Sequence, residues 1–222
     1  MATSTNPNMC KKHYRTLVFS CYINYIKKYY PTFDLNSLFQ SFGLSSSYFS
    51  SPTNWVSVEF DDLFTHKLIE IFEDPNLPYK AGQLTLAKES LGPTLSKFVQ
   101  TYPCSNYIYK ILPKSIHYFN KIFKMVTLDS QEDSYFTYEL KPSYKLLKTQ
   151  KEVRALKHNL KNIYQNFIGH FCAISALRFN NPDLISPYTI IKESEDILIF
   201  RLDISILNNP PIKPDYRLPS PP

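Results

Sequence analysis

The sequence predicts an α+β fold with a helical N-terminal half, followed by two antiparallel β-hairpins that form one sheet packed against a long helix. Apolar residues recur every three or four positions as far as about residue 120, which is the period of an amphipathic helix. Two regions, 121–141 and 187–205, then each contain two segments rich in aromatic and β-branched residues. An acidic turn separates the two segments of each region, as in a β-hairpin. Between them, a helical pattern runs from about 149 to 179.

Residues that begin and end helices divide the N-terminal half. Pro31 ends the first helix, while Asp34 is the expected N-cap of the second and Gly43 its terminator. The serine-rich stretch 44–54 predicts a loop, and Ser57 is the expected N-cap of the helix that follows. The predicted helices cover about 13–30, 35–42, 58–73, 78–90 and 105–120.

We expect one sensory or ligand-binding domain over residues 13–206. The polar residues 1–12 predict a disordered N-terminus, and the proline-rich residues 207–222 predict a tail or linker. A hydrophobic content of 43% is enough for a packed core. No secretory signal and no apolar run long enough for a membrane span is visible, so we expect a cytoplasmic protein.

Composition excludes several enzyme classes. The 4 glycines are scattered, so neither a P-loop nor a dinucleotide-binding glycine motif is present. No serine lies in a nucleophile-elbow motif, and Cys104 is the only cysteine in a loop-like context. The cysteines and histidines show no metal-ligand spacing, so we expect no metal site and no enzymatic activity. His117 and His170 lie among aromatic residues, where an imidazole either ligates haem or forms a hydrogen bond in the core.

The net charge of +6 is concentrated in the middle of the chain. Residues 110–161 carry eleven Lys or Arg against five Asp or Glu. A basic face can attract nucleic acid or an anionic membrane, and solvated helix surfaces explain the same pattern. The sequence therefore gives no strong signal for either partner.

Aromatic residues are the most suggestive feature, with 17 Tyr and 16 Phe. They either fill the core or enclose an apolar cavity, since ligand pockets are mostly apolar with a few polar groups. For the second case we predict a ligand-binding lining formed by Trp55, Phe60, Phe64, His117, Phe119, Phe167 and Phe171.

Several short motifs, taken in order, resemble a known family. The matching segments are Phe42-Gly43-Leu44, Trp55–Glu59, Glu73–Leu77, Ala81-Gly82-Gln83, Leu91-Gly92-Pro93 and Phe119-Asn120-Lys121-Ile122. In this order they resemble the N-terminal sensory domain that precedes PAS, histidine kinase and diguanylate cyclase modules in bacterial signalling proteins. That domain is related to the 4-vinyl reductase domain, the haem nitric-oxide-binding domain and the Bet3 trafficking subunits.

The resemblance implies a ligand-binding domain of bacterial signal transduction, often a homodimer, with a C-terminal output domain. Relatives often carry a cysteine-containing turn between the last two strands, where this chain has Lys192–Glu195. The Tyr-x-Ser-x-Arg motif for haem propionates is also missing, so no cofactor is expected. The sequence thus favours a sensory domain that binds a small apolar ligand in the helix–sheet core. The alternative is a protein-interaction or dimerisation module with a filled core.

Overall fold

A computed structural model describes residues 6–85, 90, 97, 105–131, 134–179, 181 and 183–207. The described helices are α1 (Ser20–Tyr29), α2 (Leu35–Ser41), α3 (Ser46–Ser50), α4 (Val58–Phe72), α5 (Leu77–Gly82), α6 (Ser105–Phe119), α7 (Gln150–Cys172) and α8 (Ile174–Phe179). The described strands are β1 (Tyr14–Arg15), β2 (Trp55–Val56), β3 (Phe123–Gln131), β4 (Tyr135–Pro142), β5 (Tyr188–Ser194) and β6 (Ile197–Asp203).

The predicted fold class is confirmed. The two hairpins, β3–β4 and β5–β6, join through β4 and β6 into a four-stranded antiparallel sheet of order β3-β4-β6-β5. A separate two-stranded ribbon pairs β1 with β2. Among the described residues, no helix is both long and apolar enough to span a membrane.

One face of the sheet forms the core because side chains on a strand alternate between its two faces. Three cross-strand pairs of buried residues lie on this face: Phe136 opposite Leu202, Tyr138 opposite Phe200 and Leu140 opposite Leu198. Helix α7 packs on this face, where the Phe171 ring lies 4.8 Å from Tyr138 and 5.9 Å from Phe200.

Helix α7 begins with a capping box, and the Glu152 carboxylate of that box also binds Lys11 near the N-terminus of the chain. The Thr149 hydroxyl accepts a hydrogen bond from the Glu152 amide, and the Glu152 carboxylate accepts one from the Thr149 amide. The same carboxylate binds Lys11 Nζ at 2.7 Å, and Glu59 of α4 binds that ammonium at 3.2 Å. These bonds lower the pKa of Glu152 to about 2 despite the opposing effect of its burial. Lys11 therefore joins the first turns of α4 and α7.

The helix-capping predictions agree with the structure, and four local predictions were wrong. Asp34 and Ser57 cap α2 and α4, and Gly43 has φ of 70° after α2. The first α-helix begins at Ser20, because residues 14–19 form β1 and a 3₁₀ turn. The serine-rich loop contains α3, whose N-cap is Ser45. The helix predicted over 78–90 is α5, which ends at Gly82. The long helix ends at Cys172, and a separate helix α8 follows.

The chain termini lie partly outside the described residues. Residues 6–12, which the sequence assigned to a disordered end, include a 3₁₀ turn over Pro7–Met9. The carbonyl of Met9 accepts a hydrogen bond from the Ser57 amide at 2.9 Å. The predicted tail lies outside the described residues from 208 onwards, as do Cys104 and Leu91-Gly92-Pro93.

Helix α6 contains a proline, and the sheet compensates for it. Pro113 has no N–H, so the carbonyl four residues earlier, at Tyr109, lacks its helical donor. The hydroxyl of Tyr138 on β4 donates to that carbonyl at 3.0 Å. This bond fixes α6 against the buried face of the sheet.

Helices α5 and α7 cross in backbone contact. A Cβ placed on Gly169 would lie 2.2 Å from the carbonyl oxygen of Tyr79, and one on Gly82 would lie 2.2 Å from that of Asn166. Only glycine allows two helix backbones to approach this closely. The crossing fixes the position of α7 from the side opposite the sheet.

Candidate functional site

A cavity of about 290 Å³ lies between the N-terminal helical region, α6 and α7. From the N-terminal region the lining residues are Tyr14, Leu17, Val18, Phe19, Ser20, Tyr22, Asp61 and Thr85. From α6 and the residue after it they are Ile108, Ile111, Leu112, Ser115, Ile116, Phe119 and Asn120. From α7 they are Ile163, Asn166, Phe167, His170 and Phe171.

The helical period explains why α6 and α7 both face the cavity. On α6 the lining residues Ile108, Ile111, Leu112 and Ser115 recur at three- and four-residue spacing, which places them on one stripe. Helix α7 repeats this spacing between Ile163 and His170. The lining is mostly aliphatic and aromatic, and the volume is near the lower end of the roughly 300–1,000 Å³ typical of small-molecule sites.

Three of the seven predicted ligand-binding residues line this cavity. Phe119 is at the end of α6, and Phe167 and Phe171 are one turn apart on α7. Phe171 is buried, whereas Phe119 and Phe167 are partly exposed. The structure thus brings together Phe119, Phe167 and Phe171, but not His117, among the predicted residues from the second half of the chain.

Phe60 and Phe64 lie in a different part of the core. Both are fully buried on α4 and pack against Phe19, with ring centroids 5.3 and 5.8 Å from it. Phe39 and Phe49 complete this cluster of rings. The apolar stripe of α4 therefore fills the N-terminal core and does not line the cavity.

Trp55 and His117 also lie away from the cavity lining. Trp55 is on β2, between the guanidinium of Arg15 at 5.1 Å and the ammonium of Lys121 at 5.8 Å from its ring centroid. His117 is exposed on α6, and its ring lies beside that of Tyr118. His117 lies on the exposed side of α6 and not on the stripe of α6 residues that lines the cavity.

His170 is the basic group of the cavity. Burial alone lowers the pKa of its imidazole to about 4, so the ring is neutral at pH 7. Part of the residue is accessible, and that accessible surface faces the cavity it lines. A neutral imidazole offers one N–H donor and one nitrogen acceptor. His170 can therefore exchange one hydrogen bond with a molecule in the cavity.

Asp61 is the acidic group of the cavity. Burial raises the pKa of its carboxyl to about 7, and the negative charge of Asp62 adds to that rise. Hydrogen bonding to the Asn159 side chain and to the Thr65 hydroxyl, at 3.4 Å, partly offsets the effect. The carboxyl thus has polar neighbours on α4 and α7 but no cationic neighbour among them.

Most other polar groups of the lining are already hydrogen-bonded within the protein. Asn120 accepts a bond from the Phe123 amide at 2.7 Å, and Asn166 donates to the Pro78 carbonyl at 3.0 Å. The hydroxyls of Tyr14 and Thr85 differ, because each is buried without a hydrogen-bond partner. Unpaired buried hydroxyls are costly, so these groups can gain stability from a ligand atom or a bound water.

Comparison with known proteins identifies the fold. No family model and no curated protein matches the sequence. A crystal structure of a point-mutant H-NOX protein from K. algicida, in its Fe(II) unliganded state, matches with a TM-score of 0.54 and 10% sequence identity. The match covers 85% of this chain and 95% of that chain. This chain has an H-NOX-like fold.

The described cavity of this H-NOX-like fold does not fit haem. His170 could supply a neutral axial nitrogen, but the two haem propionates also need cationic or donor partners when they are buried. None of the described residues that line the cavity is lysine or arginine, and the carboxyl group of Asp61 would repel an anion. The chemistry of this lining suits an uncharged molecule.

Sequence reasoning missed the N-terminal half of the lining. Tyr14 and Leu17 reach the cavity because they lie on the β1–β2 ribbon and the 3₁₀ turn after it, and two-residue strands leave no periodic signal. The sequence singled out His170 among aromatic residues but did not place it in the predicted lining, although it lies three residues after Phe167 on α7.

Proposed function

We propose that this H-NOX-like domain is a sensory domain that binds a small, mainly apolar, uncharged ligand between the N-terminal helices, α6 and α7. The observation that carries the proposal is the cavity of about 290 Å³, with an apolar lining and the neutral imidazole of His170. A molecule with one polar atom directed at His170 would satisfy this lining. Anionic ligands are disfavoured because the described lining offers no buried cation to pair with them.

The position of the cavity suggests how binding is transmitted. Helices α6 and α7 both line the cavity, and both are fixed to the core face of the sheet through Tyr138. A ligand that prefers one spacing of the two helices shifts the population toward that spacing. We further propose that the domain acts in bacterial, cytoplasmic signalling through a C-terminal output domain, without catalytic activity of its own.

Ligand uptake tests the proposal with the full chain. Native mass spectrometry of the protein should show a retained small molecule, and the neutral fluorescent probe N-phenyl-1-naphthylamine should bind with saturable fluorescence. Leu112→Trp fills the cavity from α6, so it should lower probe affinity at least about tenfold. Tyr118→Trp is the matched control, because Tyr118 is 61% exposed on the same helix.

The outcome that contradicts the proposal is equal probe binding by wild type, Leu112→Trp and Tyr118→Trp. If Leu112→Trp does not fold, Ser115→Leu introduces a flexible aliphatic side chain, smaller than the tryptophan ring, at the same stripe of α6. Absence of both a retained molecule and saturable probe binding in the wild type also rejects the cavity as a receptor site.

The alternative function, a homodimerisation module, is supported by the edge strand β5. Its Tyr188, Ile190 and Ile191 are 40%, 42% and 53% exposed. An edge strand with exposed apolar side chains is suited to pairing with a second chain. This role predicts a mass that rises with concentration in light scattering and returns to the monomer value in Ile190→Lys. A monomeric wild type at all concentrations would remove this alternative.

A further inference from the structure

A second constellation of functional side chains lies on the outside of the α4–α7 contact, away from the cavity lining. Asp62 and His66 are four residues apart on α4, so they share one face of that helix. His158 of α7 lies beside both of them. Their ligand atoms, one from each residue, all lie within 4.8 Å of one another.

The two imidazoles converge on a single carboxylate oxygen. Asp62 Oδ1 lies 3.0 Å from His66 Nδ1 and 2.7 Å from His158 Nδ1. The two rings are stacked, with centroids 4.1 Å apart and planes inclined by 14°. The two Nδ1 atoms and the Asp62 oxygen are therefore three potential metal ligands that lie close together.

We propose that Asp62, His66 and His158 form a binding site for a divalent transition-metal ion, of which Zn²⁺ is the best match. Two imidazole nitrogens and one carboxylate oxygen are a ligand set that binds zinc and iron(II). The ion replaces the hydrogen bonds that the two Nδ1 atoms now make, from His66 to the main-chain carbonyl oxygen of Asp62 at 2.9 Å and from His158 to Asp62 Oδ1 at 2.7 Å. Water supplies the remaining coordination positions, because the His158 and His66 side chains are 65% and 36% exposed.

The geometry needs only a small adjustment. Metal–ligand distances of about 2.0–2.1 Å in a tetrahedral site separate the ligand atoms by about 3.3 Å. The present nitrogen–oxygen separations of 3.0 and 2.7 Å are shorter than this by a few tenths of an ångström. Rotation of the His158 side chain, which is 65% exposed, can lengthen its separation from Asp62.

A supporting residue is also in place. The side-chain nitrogen of Asn162, one turn after His158 on α7, lies 3.5 Å from His66 Nε2. When His66 binds a metal through Nδ1, its Nε2 carries the proton and needs an acceptor. Rotating the Asn162 amide by half a turn presents its oxygen to that N–H, in exchange for the hydrogen bond that its nitrogen now donates to Asn159 Oδ1 at 3.0 Å.

The buried group His13, Glu59 and Glu152 provides a contrast. Its ligand atoms are also close together, but the ammonium of Lys11 already binds both carboxylates, at 3.2 and 2.7 Å. His13 Nδ1 accepts a hydrogen bond from the Val58 amide at 3.1 Å. A cation of the protein itself therefore occupies that position, whereas the Asp62 cluster faces solvent.

The test is titration of the full chain, purified without a histidine tag and stripped with chelator, with Zn²⁺ in a calorimeter and with Co²⁺ in a spectrophotometer. We expect one equivalent of Zn²⁺ to bind and Co²⁺ to give visible ligand-field absorption. His158→Ala should weaken binding at least about tenfold. His117→Ala is the matched control, because His117 is exposed and lies outside the cluster.

Two further measurements identify the site. In NMR spectra of the imidazole nitrogens, Zn²⁺ should shift Nδ1 of both His66 and His158, which a structural role of these residues would not produce. Asp62→Asn should weaken binding while it keeps a hydrogen-bond acceptor beside both rings. Unchanged affinity in His158→Ala and Asp62→Asn, or no stoichiometric binding by the wild type, would overturn the proposal.

Discussion

The backbone contact between α5 and α7 predicts that a glycine-to-alanine substitution destabilises the protein, which is the opposite of its usual effect in a helix. Replacing glycine by alanine inside an exposed helix stabilises it by about 1 kcal/mol. At Gly169 the same change puts a methyl group 2.2 Å from the Tyr79 carbonyl oxygen and 3.3 Å from the Gln83 amide nitrogen. Both neighbours are backbone atoms, so neither can rotate away. Gly169→Ala should therefore destabilise the fold, although it improves helix propensity.

The magnitude follows from the separation that the contact requires. An ordinary carbon–oxygen contact begins at about 3.4 Å, so the helices must move apart by about 1 Å. Overpacking of this kind costs about 1–3 kcal/mol and occasionally more. We place Gly169→Ala at about 4 kcal/mol before the propensity gain, which leaves a net loss of about 3 kcal/mol. For a chain of this length, that lowers the melting temperature by roughly 6–12 °C.

Urea unfolding followed by far-ultraviolet circular dichroism measures this loss. Lys161→Ala is the control, because Lys161 is exposed on the same helix and its replacement should change stability by less than about 0.5 kcal/mol. The double variant Gly82→Ala/Gly169→Ala should lose less than the sum of the two single variants, since one separation relieves both clashes. A Gly169→Ala protein as stable as the wild type would show that the helices are not in backbone contact.

Two further predictions concern charge. The folded pKa of His170, about 4, lies below the ordinary value of 6.5, so the unfolded chain binds more protons and stability falls as pH drops from 6.5 toward 4. His170→Gln should remove up to about 3 kcal/mol of that fall in unfolding titrations at several pH values, and an unchanged profile would contradict the burial of the ring. Lys11→Ala leaves the carboxylates of Glu59 and Glu152 without their cation and should cost about 2–3 kcal/mol at neutral pH by the same titrations. Lys12→Ala, one residue away and exposed, should cost almost nothing, and equal losses in the two variants would contradict the bridging role of Lys11.

The sequence was informative where a pattern repeats over many residues. The segments rich in aromatic and β-branched residues and the helical stripe of α7 were long enough to predict the sheet, its hairpins and the covering helix. Capping is a local effect, so Asp34 and Ser57 were also identified correctly. Short elements were missed: α3 has five residues and β2 has two, which is too few for a periodic pattern to repeat.

The candidate site was only partly predictable, because lining a cavity depends on which faces of distant elements meet. Phe64 and Phe167 look alike in sequence, since each is an aromatic residue on an apolar helical stripe. Phe64 packs into the N-terminal cluster of rings, while Phe167 lines the cavity. The Asp62–His66–His158 cluster joins residues 96 positions apart, so its sequence signal was limited to the spacing of Asp62 and His66 on α4.

The hydrogen bond between Tyr138 and the Tyr109 carbonyl also has an evolutionary consequence. Any residue other than proline at position 113 restores an amide that competes for that carbonyl, and the Tyr138 hydroxyl then loses its acceptor. Conversely, phenylalanine at position 138 leaves the carbonyl unpaired only while Pro113 is present. Substitutions at positions 113 and 138, which lie on different elements, are therefore expected to occur together rather than independently in proteins descended from this chain.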